Sequence, residues 1–115
     1  MTYTARMSDS NISSDLLRGH TDTIILGLLM DRDRYGSEIT KLVYEHSEKL
    51  YELKEATMYS SLKRLEKDAY IAFYWGDETQ GGRRRYYRIT QSGRNLYKSN
   101  KQSWDYAKQI LEKLL

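Results

Sequence analysis

The chain has 115 residues with 19 basic and 16 acidic side chains, a formal net charge of +3, and at 13.7 kDa it is sized for one domain around one core. It contains no cysteine and only two histidines, His20 and His46, which excludes disulfides, thiolate chemistry and a histidine-rich cage, so no metal and no other cofactor is expected. Mean hydropathy is -0.80; the longest apolar stretch, Ile24 to Met30 with Gly27 inside it, falls short of the about 20 residues a bilayer span needs. The polar start carries no signal core, and the expectation is a cytoplasmic protein without a membrane partner.

In chain order, Ser13, Ser14 and Asp15 can cap a first helix whose apolar positions are Leu16, Leu17, Ile24, Ile25, Leu28 and Leu29. The charged run Asp31 to Arg34 ends it. Tyr35 and Gly36 read as a turn, and Ser37 as the cap of a second helix with Ile39, Leu42 and Val43 inward. From about Glu55 to Asp68 a third helix aligns Met58, Leu62, Leu65 and Ala69 on one stripe. Its outer side holds Thr57, Ser60, Arg64 and Lys67, with Tyr59 and Lys63 on a flank.

The period then changes from 3.6 to 2. Ile71, Phe73 and Trp75 alternate with Tyr70, Ala72 and Tyr74, which predicts a strand whose apolar face, Trp75 included, packs on the helices. Gly76 to Gly82 is a turn-rich loop, in which Asp77 and Glu78 shape the turn or repel the wrong partner, and the run around Tyr86 is the antiparallel partner strand. Thr90 or Ser92 can cap a last helix in which Tyr97, Asn100, Trp104, Ala107, Leu111 and Leu114 form a heptad-like seam.

Three helices followed by a two-stranded ribbon predict an α+β, mainly α, winged helix-turn-helix, with residues 1–91 as the nucleic-acid-binding domain and residues 92–115 as a dimerisation helix. Such a fold lays its later helix in the major groove of DNA. Thr57, Ser60 and Arg64 have the short hydroxyls and the guanidinium suited to base edges and phosphates, and Tyr59 adds a phenol. The run from Arg83 to Arg88 contains four arginines, Arg83, Arg84 and Arg85 among them, and no acid. These can meet phosphates or a narrow minor groove, while Gly81 and Gly82 let backbone approach the duplex. The competing reading is a winged-helix module whose basic ribbon meets a protein or RNA without operator specificity. No phosphate loop, dinucleotide motif or nucleophile with a base is present, so catalysis is not expected.

The stretches LLRGHTDTIILGLL, YGSEI, LKEATMYSSLKRLEKDAYI, YWGDE and GGRRRYYRIT resemble those of PadR-type transcriptional regulators, and the single tail helix is similar to the short-tailed branch that includes multidrug-sensing repressors. The resemblance implies a homodimeric winged-helix repressor on a double-stranded operator of two-fold character. It carries DNA contacts to Thr57, Tyr59, Ser60 and Arg64 of the third helix and to Gly82, Arg84 and Arg85 of the wing. Tyr35 sits at the matching turn as a phosphate contact or a packing residue. The family commonly has proline after its helix tyrosine, where this chain has Ser60.

The seam by itself argues for a second copy, since a chain this small has little left to bury it against; Leu16 and Leu17 would flank the partner's tail beside Trp104, Ala107, Leu111 and Leu114. Trp104 reads by default as an interface residue. The resemblance implies that it and its symmetry mate sandwich a planar aromatic or cationic small molecule, with Gly19, Asp22, Thr23, Ser103, Ala107 and Lys108 lining the cavity. Asn100, Lys101 and Lys108 make those surroundings polar and basic.

Overall fold

The computed structural model describes residues 16–77 and 82–115. The caps expected at Ser13, Ser14 and Asp15, and the loop positions Glu78 and Gly81, lie outside the described residues. The elements are α1 (Thr21–Leu29), β1 (Arg34–Tyr35), α2 (Gly36–His46), α3 (Glu55–Lys67), β2 (Ile71–Trp75), β3 (Arg85–Ile89) and α4 (Gln91–Leu114).

The apolar stripes close one core. Ile25, Leu26 and Leu29 of α1, Ile39 and Val43 of α2, and Met58, Leu62 and Leu65 of α3 are buried together with Leu53, Ile71, Tyr87 and Ile89. Apart from Leu53, which lies in the segment before α3, each occupies one face of its helix or alternate positions of its strand, as periodicity requires. The first helix, expected to run unbroken from Leu16, is instead interrupted. Helical backbone at 16–18 gives way to a turn at Gly19 and His20 before α1 begins. Glycine supplies little helical bias there, and the Thr21 hydroxyl donates to the Arg18 carbonyl at 2.9 Å, a side-chain bond that competes with helix continuation.

The expected two-stranded ribbon is a three-stranded antiparallel sheet in the order β1-β3-β2. Arg34 and Tyr35 pair with Tyr87 and Tyr86, so the presumed turn at Tyr35 is a short edge strand. Two residues are too few to show alternation. In the main ribbon Ile71 pairs with Ile89 and Trp75 with Arg85. Ile71, Phe73 and Trp75 alternate onto one face of the ribbon, but the ribbon outruns the helices that cover it: Ile71 is 2% exposed, Phe73 40% and Trp75 53%. Trp75 therefore does not pack the ribbon onto the helices as expected. Ala69 likewise is not part of the α3 stripe; it takes a left-handed conformation with φ 62° and ends the helix, while Tyr70 N donates back to Leu65 O at 2.9 Å.

Two arginines distant in sequence cap the carboxyl end of α1, which has no basic residue in its last turn. Buried Arg34 donates from Nε to Leu28 O at 2.6 Å and also holds Glu38 and Asp31, each at 3.2 Å. Arg94 donates to Met30 O at 3.0 Å. Carbonyls left over at a helix end carry partial negative charge and need such donors.

The last helix is anchored at one end only. The Thr90 hydroxyl accepts from Gly93 N at 3.1 Å, the cap expected for Thr90. Gly93 is buried against the ribbon base, where a Cβ would run into the Tyr70 carbonyl oxygen and lie 2.7 Å from Ile89 Cγ1. Leu96 and Tyr97 pack on the core, and Asn100 Nδ2 donates to Thr23 Oγ1 at 2.9 Å. Beyond Asn100 every residue of the chain is exposed. Gly93→Ala is expected to lower stability in denaturant titration by about 1–3 kcal/mol, the usual cost of overpacking a tight contact; a change below about 0.5 kcal/mol would show that α4 can shift its seat freely.

Candidate nucleic-acid interface

The buried stripe of α3 (Met58, Ser61, Leu62 and Leu65) fixes which side is left to solvent. Tyr59, Ser60, Lys63 and Arg64 are exposed on that side, and Thr57 is half-buried at its edge. The Tyr59 hydroxyl rests over Gly36 at the start of α2, where no side chain blocks it. The structure thus brings the predicted α3 residues onto one surface. Lys54, which precedes the helix, is extended and gives no side-chain cap, so the first backbone N–H groups of α3 remain available to an acceptor.

The arginines of the ribbon divide into two sets. Gly82, Arg83 and Arg84 are exposed on the segment leading into β3, with Gly82 at φ 86° and, among the described residues, open space where a Cβ would stand. Arg84 places its guanidinium 4.4 Å above the Tyr35 ring. Tyr35 meets Tyr86 edge-on at 5.5 Å, and Tyr86 stacks on Tyr74 at 5.5 Å. Half-buried Tyr35 thus carries the Arg84 guanidinium on its ring and packs edge-on against Tyr86. Arg85 points to the opposite face. It donates to Glu66 Oε1 of α3 at 2.9 Å and lies flat on Phe73 at 3.7 Å, so it ties the wing to α3 and is less free than Arg83 or Arg84 to meet a duplex.

Three polar ties across the interface had no signal in the sequence, because their partners are far apart along the chain. They are Glu66 with Arg85, Asp33 with the Tyr74 hydroxyl at 2.7 Å, and Asp22 with Arg64 at 2.6 Å. A carboxylate beside a phenol is common on any surface, and only the fold selects the pairs.

The residues expected to line a ligand cavity are dispersed over α1 and α4. Gly19 is exposed with open space around it, Thr23 is bonded to Asn100, and Asp22 turns to Arg64 on α3. Ser103, Trp104, Ala107 and Lys108 are exposed on α4. The Trp104 ring stands 6.0 Å from the His20 ring, and Lys108 Nζ lies 5.9 Å from its centre. His20, at the cap position of α1, thus joins this group, a neighbour that sequence spacing did not suggest. A cleft of about 440 Å³ lies elsewhere, lined by Thr40, Lys41, Tyr44 and Leu53 among others, and touches none of these residues. Among the expected dimer residues, Leu16 is 73% exposed, Leu111 50% and Leu114 74%, while Leu17 is half-buried. No helix among the described residues is long and apolar enough to cross a membrane.

A three-helix core with a wing at its edge and a long trailing helix defines a winged-helix protein. The family model described as "Transcriptional regulator PadR-like family" matches residues 25–99, which is more than half of the chain, and the chain belongs to that family. It is similar to a transcriptional regulator from Clostridium thermocellum, with 47% identity, 87% of this chain and 94% of that one covered, and a TM-score of 0.81. A PadR family transcription regulator from Clostridium difficile shares 40% identity over 84% of this chain and 98% of that one, with a TM-score of 0.75. Bacillus subtilis PadR, solved in complex with operator DNA, shares 26% identity over 68% of this chain and 44% of its own, with a TM-score of 0.62. The family and these neighbours are transcriptional regulators, not enzymes.

The wing's tyrosine stack supplies a pH test. Tyr74 has its phenol pKa raised above 10.0, first because the hydroxyl donates to Asp33 and then through burial and the carboxylate's charge. A raised folded-state value favours the protonated form, so this bond stabilises the fold fully below pH 10.0 and is lost as pH rises through the raised value. Tyr74→Phe is therefore expected to be less stable than the parent at neutral pH, with the gap closing above pH 10.0. A gap independent of pH would remove the bond from the account.

Proposed function

We propose that the protein is a homodimeric, operator-binding repressor that reads duplex DNA with the exposed side of α3 and grips the backbone with Arg83 and Arg84 of the wing. The observation that carries this reading is the shared open surface of Tyr59, Ser60, Lys63 and Arg64 beside two outward arginines and Gly82. Hydroxyls and cations on one helix face, next to a basic ribbon, match the chemistry of base edges flanked by phosphates. Among the solved neighbours, the Bacillus subtilis protein bound to operator DNA supports the choice of duplex DNA over a protein or RNA partner. A reading head of this size needs a second copy to gain affinity and to set half-sites about 34 Å apart.

The tail, residues 92–115, supplies that copy in this reading. Trp104, Ile110, Leu111 and Leu114 stand 40% or more exposed on the part of α4 that runs past the core, and Leu16, exposed as well, would flank a partner's tail. A self-complementary two-fold contact is the simplest way to bury such a stripe. Sedimentation should give twice 13.7 kDa, and the dimer should shift a duplex from its own upstream region more tightly than random DNA. Leu111→Asp is expected to halve the mass and weaken that shift at least tenfold, and Arg84→Ala to weaken it with a shallower salt dependence. A monomeric parent, or equal affinity for random DNA, would defeat the reading.

Small-molecule control is the finer part of the proposal. Trp104 is 45% exposed, with His20 and Lys108 beside its ring, which gives a flat aromatic ligand one face to stack on and a symmetry mate's indole the other. Lys108 near that ring favours neutral or anionic planar compounds over cationic ones. Tryptophan fluorescence is expected to be quenched on adding a neutral planar dye, and quenching that persists undiminished in Trp104→Phe would place the ligand elsewhere.

A further inference from the structure

The pairing of Arg64 with Asp22 assigns a different task to the arginine of α3 from the one its position in the sequence suggests. Arg64 Nη2 donates to Asp22 Oδ1 at 2.6 Å and to Ser61 Oγ at 3.3 Å, so that nitrogen is already committed to acceptors within the chain. A guanidinium recognises guanine through two adjacent N–H groups, and its two forks are Nε with Nη2 and Nη1 with Nη2. Each fork contains the occupied nitrogen. What remains is Nη1 and Nε, suited to a single acceptor at a time, as a phosphate oxygen is.

The anchor is itself well placed. Asp22 lies in the first turn of α1, where the helix dipole favours a negative charge. Ser61 is 3% exposed on the buried stripe of α3. The side chains of Arg64 and Asp22 are 55% and 31% exposed, so the pair adds little to stability. Its effect is to remove rotational freedom from a long side chain on the open surface. Ordering such a side chain beforehand spares that cost on binding.

We propose that Arg64 is a phosphate clamp, not a base reader, and that Asp22 is the positioning residue that makes it one. The inference rests on the operator-binding reading and deepens it: base discrimination on α3 then falls to Thr57, Tyr59 and Ser60, while Arg64 fixes the register of the helix along the backbone.

The test uses the native full chain and a labelled duplex that it enriches from random-sequence DNA, with a scrambled duplex alongside. Arg64→Gln is expected to weaken both duplexes by the same factor, about tenfold, and to reduce the slope of log affinity against log salt by about 0.9 for each phosphate given up. Arg64→Lys should restore most of both losses, since a point charge serves a phosphate but not a guanine fork. The sequence enriched from random DNA should be the same for all three chains. Asp22→Asn should cost about threefold in the otherwise native chain and nothing in the Arg64→Gln background. Relaxed preference at one base position in Arg64→Gln, unrestored by Arg64→Lys, would overturn the clamp. Tighter binding by Asp22→Asn only where Arg64 is present would show that Asp22 masks the arginine and would overturn the positioning role. Absence of duplex binding by the parent chain defeats the operator reading and this one with it, whereas binding with no dependence on Asp22 or Arg64 defeats this one alone.

Discussion

The seat of α4 against the base of the ribbon constrains the whole molecule. Thr90 closes the first turn of the helix and donates its hydroxyl to the carbonyls of Ala69 and Tyr70, at 2.7 and 3.0 Å, while Gly93 lets the helix backbone lie on that same Tyr70 carbonyl. A side chain at Gly93 would push the two apart. With the start held there and Asn100 fastened to Thr23, the remaining helix must project from the core in one direction. The single seam of the sequence is thereby split in two. Tyr97 and Asn100 pack against the chain's own core, and Trp104 to Leu114 lie on the exposed part of α4.

The arginines show how one residue type is distributed among unlike tasks by its surroundings. Arg34 and Arg94 satisfy orphan carbonyls at the end of α1 and act as structural donors, Arg34 buried and held by acceptors from three residues. Arg85 stacks on Phe73 and pairs with Glu66, so it braces the wing against α3. Arg83 and Arg84 face outward, and Arg64 lies between these extremes, tethered through one nitrogen with the others open. A regulator of this kind needs few outward cations if those few are held at fixed spacing. The bracing arginines provide that spacing by joining α1 to β1, α2 and α4, and α3 to the sheet.

Much of this was legible in the order of residues. The stripe of Met58, Leu62 and Leu65, the two alternating runs around Phe73 and Tyr87, and the Thr90 cap each follow from local periodicity or local hydrogen bonding. They identified the winged arrangement and the outward side of α3. Less legible were features set by distant partners: the two-residue strand β1 exists because Tyr86 and Tyr87 offer it an edge, and the break at Gly19 and His20 interrupts a pattern that would otherwise run on. Phe73 and Trp75 lie on the face predicted for them, yet stay exposed because helix coverage ends before the strand does.

The sequence by itself determined the helices, the ribbon and the side each presents to the core, because those depend on spacings of two to four residues along one chain. It also set the family, through linked motifs in order. Only the tertiary structure decided which arginines are bound to acids and carbonyls and which face outward, because Asp22, Glu66 and Met30 come within bonding distance of Arg64, Arg85 and Arg94 only after the core has closed. A guanidinium's role is fixed by the acceptors around it in space, and neighbours along the chain do not supply that information.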